Sequence, residues 1–294
     1  MSTTVFSASY SGHPGVDDGT WNTLMTQDSS GRTVTNGEFL AKCEKPTAGT
    51  DYYQIGRGFV DFDTSSLPDN CTISAASLFV YCSSVYNAHG TGVYVIKSTK
   101  TENQIVSGDW DEIDKTNLGG NKVPSSGDNT FTLNSTGIAH ISKTGYTKLA
   151  LIQGNDFSGS PPNQGNDHFV FRGYNYGTEA QRPTLSVTYT TPPAVTTGSV
   201  TNLYELSATL GGNVTDAGGG TVSSRGVCWS TSANPTTANS KATSAGTTGA
   251  YTVSATGLSS NTTYNYRAYV ITENSTQYGT NLTFTTSSYS TGII

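Results

Sequence analysis

Short runs of alternating apolar and polar residues, separated by turns rich in Gly, Ser, Asn and Pro, extend along almost the whole chain. Residues 57–63 alternate in this way, a Ser/Pro turn follows at residues 64–68, and residues 75–81 alternate again. A period of two is typical of strands with one buried face, so this stretch predicts a β-hairpin. One helical pattern lies at residues 136–143, where we expect a turn or two ended by Gly145. The pattern as a whole predicts an all-β protein.

Pro192 and Pro193 mark a boundary between two domains. Paired prolines after a terminal strand stiffen a linker and prevent further sheet pairing. A chain of 294 residues is long enough to bury two ordinary cores. We therefore expect a first domain at residues 1–190 and a second domain at residues 194–286. Residues 191–193 form the linker between them, and residues 287–294 form a C-terminal tail.

The phrases at residues 62–68 and 75–81, with the closing strand at residues 182–189, resemble a known β-sandwich module. They are similar to the DNRLRE-type and related carbohydrate-binding-module-like sandwiches, whose phrase runs Phe-Asp-x-Ser-x-Leu-Pro and then Ala-x-Leu-x-Val-Tyr. The resemblance covers most of the first 190 residues and implies a jelly-roll-like β-sandwich. Such sandwiches serve adhesive, structural and glycan-binding roles, so no single activity follows. Independently, the alternation predicts that Asp63 caps the turn that follows it.

In the second domain, Leu258 and Tyr264 stand six residues apart and Arg267-Ala268-Tyr269 follows. This phrase resembles the fibronectin type III tyrosine corner, which implies that the Tyr264 hydroxyl bonds to a nearby backbone carbonyl. The resemblance covers about residues 194–286, and the spacing of short strands there is typical of a Greek-key sandwich of about seven strands. The phrases at residues 211–215 and 225–230 further resemble fibronectin-like repeats common in surface proteins of Bacteroidetes and their phages. Two positions depart from the family: Ser260 stands where it usually has Pro, and the expected core Trp is Trp229 rather than one on the preceding strand.

Composition and charge limit the partners. Only 12% of the residues are charged, the net charge is −6, and no basic run occurs, which argues against nucleic acid. The longest apolar runs, such as residues 149–152, are too short for a membrane span. Residues 1–10 lack the basic start and long apolar stretch of a signal peptide. Either a leader has been removed, or the protein is a virion component that leaves the cell by lysis.

The sequence carries no arrangement typical of a catalytic centre. The four histidines stand in separate segments without HxH or HExxH spacing, and GxSxG and P-loop motifs are absent. None of the four cysteines forms a CxxC pair. Cys71 and Cys82 lie near opposite ends of one predicted strand and cannot bridge each other, Cys43 could meet either, and Cys228 is expected to be a small buried thiol. The sequence therefore predicts a non-enzymatic protein.

Acidic residues supply one candidate metal site. Asp109, Asp111 and Asp114 form a cluster dense enough to hold a structural calcium ion, as jelly-roll modules of this kind often do. The cluster lacks the Gly and terminal Glu of an EF-hand loop, and a solvated loop is the alternative. We expect no other cofactor.

Aromatic residues supply the candidate ligand contacts. Flat rings stack on the apolar faces of sugars at small cost in side-chain entropy. Rings in polar, turn-rich surroundings are candidates for such contacts with a glycan, and cross-strand packing is their alternative role. The candidates are Trp21, Trp110, Tyr174 and Tyr176.

Together these features favour a non-enzymatic surface component of a bacteriophage virion, such as a capsid decoration, head fibre or tail accessory protein. We expect it to assemble in several copies with itself or other virion proteins, with residues 287–294 in a subunit contact and a host surface glycan as a candidate ligand. Ile293 and Ile294 would anchor that contact. The alternative is a secreted bacterial surface protein that binds polysaccharide, and a third possibility is an accessory region of a larger hydrolase.

Overall fold

A computed structural model shows an all-β chain, which confirms the predicted fold class. The chain divides into two compact units. The N-terminal unit comprises Thr3–Asp69 and Ile73–Thr188, and the C-terminal unit comprises the chain from Tyr189 together with Met1–Ser2 and Asn70–Thr72. The structure describes residues 1–12, 16–19, 37–45, 53–87, 90–102, 109, 111–162 and 165–288.

The first thirteen strands of the described chain belong mainly to the N-terminal unit. They are β1 (Ser2–Ser7), β2 (Tyr10–Gly12), β3 (Val16–Gly19), β4 (Glu38–Lys45), β5 (Tyr53–Gly56), β6 (Gly58–Asp63), β7 (Thr72–Asn87), β8 (Val93–Ser98), β9 (Ile113–Lys122), β10 (Gly127–Thr132), β11 (Tyr146–Gln153), β12 (Gly165–Arg172) and β13 (Thr184–Thr190). Among the described residues, two short helices accompany them, α1 (Ser135–His140) and α2 (Gly154–Ser158), and a 3-10 turn spans Glu179–Gln181.

Two sheets form the N-terminal sandwich. The first sheet has the order β1-β13-β7-β12-β4-β5-β3, with β10 also paired to β7. The second sheet has the order β2-β6-β11-β8-β9. The apolar run Leu149–Ile152 lies on β11, between β6 and β8, and is buried on both faces. A continuous apolar run requires cover on both sides of its sheet, and Phe157 of α2 packs on the outer apolar cluster of this sheet.

The predicted β-hairpin is wrong in its pairing: β6 lies in the second sheet and β7 in the first, so the turn between them connects the two sheets. The turn itself forms as the sequence predicts. Oδ1 of Asp63 accepts hydrogen bonds from the Ser65 backbone N–H at 3.1 Å and from the Ser65 hydroxyl at 2.6 Å. These bonds to the charged form lower the pKa of Asp63. The predicted helix is also present and ends at His140. It begins one residue earlier than predicted because the Asn134 side chain caps it, accepting a hydrogen bond from the Gly137 N–H at 2.9 Å.

The C-terminal unit is a β-sandwich. Its strands are β14 (Ala194–Thr201), β15 (Ser207–Asp216), β16 (Val222–Ser230), β17 (Ser240–Ser244), β18 (Gly249–Thr256), β19 (Thr263–Thr272), β20 (Thr276–Tyr278) and β21 (Leu282–Thr285). A three-stranded sheet, β14-β15-β18, faces a second sheet of order β17-β16-β19-β20, with β21 also paired to β19. The short strands β20 and β21 together occupy one strand position beside β19, so the arrangement agrees with the predicted fibronectin type III-like architecture of about seven strands.

Trp229 lies in the core of the C-terminal unit, as predicted. The predicted tyrosine corner is wrong in its partner: the Tyr264 hydroxyl accepts from the Ser259 backbone N–H at 3.1 Å instead of bonding to a carbonyl. Tyr264 is half-buried, whereas Tyr266 points into the core and donates its hydroxyl to the Gly198 carbonyl at 3.0 Å. Both rings lie on the same face of β19, since they stand two positions apart, and both contact the core cluster. Tyr264 is less deeply buried because it is the second residue of the strand.

All four cysteines are buried and none forms a disulfide, so Cys43 bridges neither Cys71 nor Cys82. Burial raises the pKa of the Cys43 thiol far above its usual range and that of Cys82 to about 11. No helix among the described residues has the length and apolarity needed to cross a membrane. From Tyr289 onward, the tail that we expect in a subunit contact lies outside the described residues.

Replacing Trp229 by Ala in a fragment of residues 189–288 is expected to lower the free energy of unfolding by about 3–5 kcal/mol, because the lost ring leaves a cavity in the core. The control is Tyr204→Ala, whose ring is 61% exposed. Its loss should cost less than about 0.5 kcal/mol. Urea unfolding followed by circular dichroism measures both. An unchanged midpoint for Trp229→Ala would show that this ring does not support the core.

Candidate functional site

The outer side of the first sheet carries a partly exposed row of polar and aromatic side chains on β4, β12 and β7. His168 on β12 stands opposite Lys42 on β4 and Tyr86 on β7. The residues that flank His168 and Arg172, namely Phe169 and Phe171, are fully buried on the other side of the sheet. We call this surface the β4–β12–β7 face and define it by Glu38, Leu40, Lys42, Glu44, Ser84, Tyr86, His168, Val170 and Arg172.

Tyr86 and His168 form a stacked pair on this face. Their ring centroids are 5.8 Å apart with 17° between the ring planes, and Tyr86 is 54% exposed. Nδ1 of His168 lies 2.7 Å from Oε1 of Glu44, and Nζ of Lys42 lies 2.9 Å from Oε2 of the same carboxylate. Glu44 is only 4% exposed because its neighbours cover it. The carboxylate therefore fixes the His168 ring beneath an exposed aromatic ring.

A second cluster lies at the other end of the face. The guanidinium of Arg172 stacks over the Tyr176 ring at 4.0 Å from its centroid, and its Nη1 contacts Oε1 of Glu38 at 2.5 Å. The Ser83 hydroxyl donates to the same Glu38 oxygen at 3.2 Å. Nε of Arg182 donates to the Tyr176 carbonyl at 2.7 Å. These contacts hold one face of the Tyr176 ring against a cation.

The four aromatic residues that the sequence singles out fall in different places. Tyr174 and Tyr176 lie half-buried in the turn after β12, and the Tyr174 N–H donates to the Ser11 hydroxyl at 2.6 Å. Trp21 and Trp110 lie outside the described residues. Tyr176 thus lies beside the β4–β12–β7 face, because its ring contacts the guanidinium of Arg172, which belongs to that face.

Sequence reasoning missed Tyr86 because β7 changes phase. Val80 and Cys82 are buried, so strict alternation would place Tyr86 in the core as well. The pairing of β7 with β12 shifts register between Val170 and Phe171, where β7 contains an extra residue. A bulge of this kind reverses the direction of the side chains that follow it. The polar pair Ser83-Ser84 is the signal that could have indicated the reversal.

The structure does not bring the three candidate calcium ligands together. Asp109 is buried, Asp111 is exposed, and Oδ1 of Asp114 accepts from the Thr116 N–H at 3.0 Å and from its hydroxyl at 2.7 Å. These Thr116 bonds lower the pKa of Asp114. Across the part of the chain that the structure describes, no group of three or more His, Cys, Asp or Glu is arranged to hold a metal ion. Asp114 instead closes its own local turn.

A buried ion pair connects α2 to the strands below it. Nε and Nη2 of Arg57 contact the two carboxylate oxygens of Asp156 at 2.7 and 2.9 Å, and Nζ of Lys115 lies 3.1 Å from Oδ1. Asp156 is fully buried. Burial by itself raises the pKa of Asp156, but the charges of Arg57 and Lys115 outweigh it and hold the pKa below its usual range. Asp156 is therefore a charged, structural carboxylate.

A polar cleft of about 300 Å³ lies near one end of the N-terminal unit. The hydroxyl of Thr91, one of its lining residues, donates to Oδ2 of Asp167 at 2.8 Å. Asp167 lies on β12, the strand that also carries His168. The lining of the cleft is formed by Gly90, Thr91, Gly92, Tyr94, Asn121, Gly154, Asn155 and Ser158. In the C-terminal unit, a cavity of about 480 Å³ is lined by Tyr204, Glu205, Leu206, Ser207 and Ser287.

Comparison with known proteins gives little. No family model and no curated protein matches the chain. Domains A168–A170 of titin align with 96% of this chain and 99% of that chain, at 11% identity and a TM-score of 0.24. The Endo-D glycoside hydrolase domain from Streptococcus pneumoniae R6 aligns with 97% of this chain and 37% of that chain, at 10% identity and a TM-score of 0.22. At these TM-scores neither likeness carries an argument about this chain.

Asp156→Asn is expected to destabilise the N-terminal unit by about 3–5 kcal/mol at neutral pH, because it removes the charge opposite the buried Arg57 guanidinium. In the wild type, the stabilisation from a lowered pKa is present above the unfolded-state value of about 4 and is lost as the pH falls through the lower folded-state value. Urea unfolding across this pH range measures it.

The control is Asp114→Asn, whose side chain is 45% exposed and whose effect on unfolding should be small at every pH. If Asp156→Asn were as stable as the wild type at neutral pH, the ion pair would not contribute to the fold.

Proposed function

We propose that the protein is a non-enzymatic adhesion protein whose N-terminal unit binds a surface polysaccharide on the β4–β12–β7 face. The observation that carries this proposal is the exposed Tyr86 ring, which stacks on a His168 ring held by Glu44. An aromatic ring that is fixed before binding loses little entropy when a sugar stacks on it.

The polar groups around this pair suit a hydroxyl-rich ligand. Lys42 and Glu44 stand at one end of the face, and Glu38 and Arg172 stand at the other. Charged groups of both signs can donate to and accept from sugar hydroxyls along an extended chain. An open sheet surface accommodates a polymer, whereas small molecules are usually enclosed in pockets.

The carboxylates on this face favour binding over hydrolysis. Glycoside hydrolysis commonly requires two carboxyl groups, one on each side of the scissile bond, with one acting as an acid. Here Glu44 is buried between His168 and Lys42, and Glu38 is paired with Arg172. Both carboxylates are thus engaged in ion pairs that orient their neighbours, which supports a non-enzymatic role.

We place this activity at the surface of a bacteriophage virion, as a capsid decoration, head fibre or tail accessory protein present in several copies. The support is the combination of two adhesive-type sandwiches with the sequence resemblance of the second to repeats of Bacteroidetes and their phages. A secreted bacterial surface protein would use the same face. The neighbouring genes separate the two: portal, capsid and tail genes indicate a virion, and polysaccharide-utilisation genes indicate a cell surface.

Tyr86→Ala and His168→Ala are each expected to weaken polysaccharide binding by about 30-fold, since central aromatic contacts typically contribute about 2 kcal/mol or more. A panel of bacterial polysaccharides identifies the ligand, and titration calorimetry then measures affinity for the wild type and each variant. Tyr204→Ala in the C-terminal unit is the matched control, because its ring is similarly exposed, at 61%.

Two results would contradict the proposed face. One is the absence of binding to any member of a broad panel, which would favour a purely structural role. The other is full affinity in Tyr86→Ala and His168→Ala with reduced affinity in Tyr174→Ala or Tyr176→Ala, which would move the site to the turn after β12.

A further inference from the structure

Lys100 and Asp61 form a lysine–carboxylate pair in the interior of the N-terminal unit. Asp61 lies on β6, and Lys100 lies two residues after the end of β8. Both side chains are completely buried, and Nζ of Lys100 is in direct contact with Oδ2 of Asp61. The other carboxylate oxygen, Oδ1, is buried and has no hydrogen-bond partner among the residues that the structure describes. A buried carboxylate with one oxygen left unsatisfied is costly as a permanent arrangement.

Part of the surroundings of the pair is apolar. Phe59, two residues before Asp61 on the same face of β6, belongs to the buried cluster that includes Ile96 and Ala150. Burial beside such residues disfavours the charged form of the Asp61 carboxyl group.

Lys148 keeps the lysine of the pair in place without competing for Asp61. It stands opposite Asp61 in the β6–β11 ladder. Its ammonium nevertheless donates to the backbone carbonyls of Lys100, Thr101 and Glu102 at 3.1, 2.7 and 2.9 Å. The carbonyl of Glu102 also accepts from Nζ of Lys100 at 3.0 Å. Lys148 thereby holds the segment that carries Lys100 against β11, where the Lys100 amine contacts the Asp61 carboxyl group.

The electrostatics agree with this geometry. Burial raises the pKa of Asp61 to about 6, although the charges of Lys100 and Lys148 oppose that rise. Burial also lowers the pKa of Lys148, with the charge of Lys100 adding to the effect. The other ionisable groups close enough to act on these residues are Glu102 and Asp109. The carboxyl of Asp61 is therefore easier to protonate than an ordinary aspartate.

We propose that Lys100 and Asp61 condense into an intramolecular isopeptide bond. A proton passes from the Lys100 ammonium to the Asp61 carboxylate within the contact, which gives an amine and a carboxylic acid. The amine lone pair then attacks the carboxyl carbon, and a C–N bond forms. The nitrogen loses a proton, the carboxyl C–OH bond breaks, and the hydroxyl takes up that proton and leaves as water. The products are one amide and one water molecule, so no external reagent is needed.

Three other ion pairs of the N-terminal unit each lack one of these conditions. Arg57 is a guanidinium, which stays protonated and is a poor nucleophile. Lys115 is 34% exposed at the side chain and faces an Asp156 that Arg57 keeps charged. Lys97 and Asp114 are both exposed to solvent. Lys100 and Asp61 combine a primary amine, a readily protonated acid and full burial.

Peptide mapping of the full chain tests the proposal directly. Trypsin cleaves after Arg57, Lys97 and Lys115 but cannot cleave after a Lys100 whose amine is acylated. We expect the denatured digest to contain residues 58–97 joined to residues 98–115, with a mass lower by one water molecule than the two peptides together. The uncut linear peptide 58–115 has the same mass, so labelling of amino termini must show two termini, at Gly58 and Ser98, and the intact wild-type protein must be lighter than its sequence by one water molecule. Separate peptides, with cleavage after Lys100 and no joined species, would overturn the proposal.

The variants Asp61→Ala and Lys100→Arg should lose the joined species, and the intact mass of each should equal the mass of its sequence. Lys97→Arg is the control, because Lys97 is 42% exposed at the side chain and pairs with Asp114 outside the buried pair. The change keeps the tryptic site and both reacting groups, so the joined species should persist. A joined species that survives Asp61→Ala would also overturn the assignment, since the amide would then involve another carboxyl group. The wild-type digest gives its answer even if a variant fails to fold.

Discussion

The second sheet of the N-terminal unit is covered on both faces, and every charge beneath its outer cover must find a partner there. The desolvation of an unpaired ion costs several kcal/mol, so burial is tolerated where opposite charges meet. Asp156 of α2 meets Arg57, and Asp61 of β6 meets Lys100. In each pair, one residue lies on or directly beside a strand of the sheet, and the other lies in a segment that covers the sheet. Ion pairing thus fixes where the covering segments lie.

This arrangement also explains why the candidate binding surface is on the first sheet. The outer face of the second sheet is occupied by the cluster around Phe59 and by Phe157 of α2. On the first sheet, Tyr86 and His168 remain at the surface. One sheet therefore carries the structural charges in its interior, while the other presents its aromatic and charged side chains to solvent.

Much of the fold could be predicted from sequence because it depends on local patterns. The strands β6 and β7, the Asp63 turn and the buried position of Trp229 each follow from alternation or from turn chemistry within a few residues. The predicted pairing of β6 with β7 does not, because the choice of sheet depends on contacts with distant strands. The site could not be predicted in the same way. Tyr86 faces solvent only because a bulge adds a residue to β7, and Asp156 lies in a short polar segment that resembles a solvated loop. Tyr264 shows the same limit, since the spacing of a motif does not determine which backbone group its hydroxyl meets.

The four buried thiols have a consequence for where the chain can fold. None of them forms a bridge, and their burial raises the pKa of Cys43, Cys82 and Cys228, which keeps these thiols protonated and poorly reactive toward oxidants. The two sandwiches do not depend on disulfides for their stability. The same native structure is therefore compatible with a reducing compartment during synthesis and with an oxidising one afterwards, without any change in redox state.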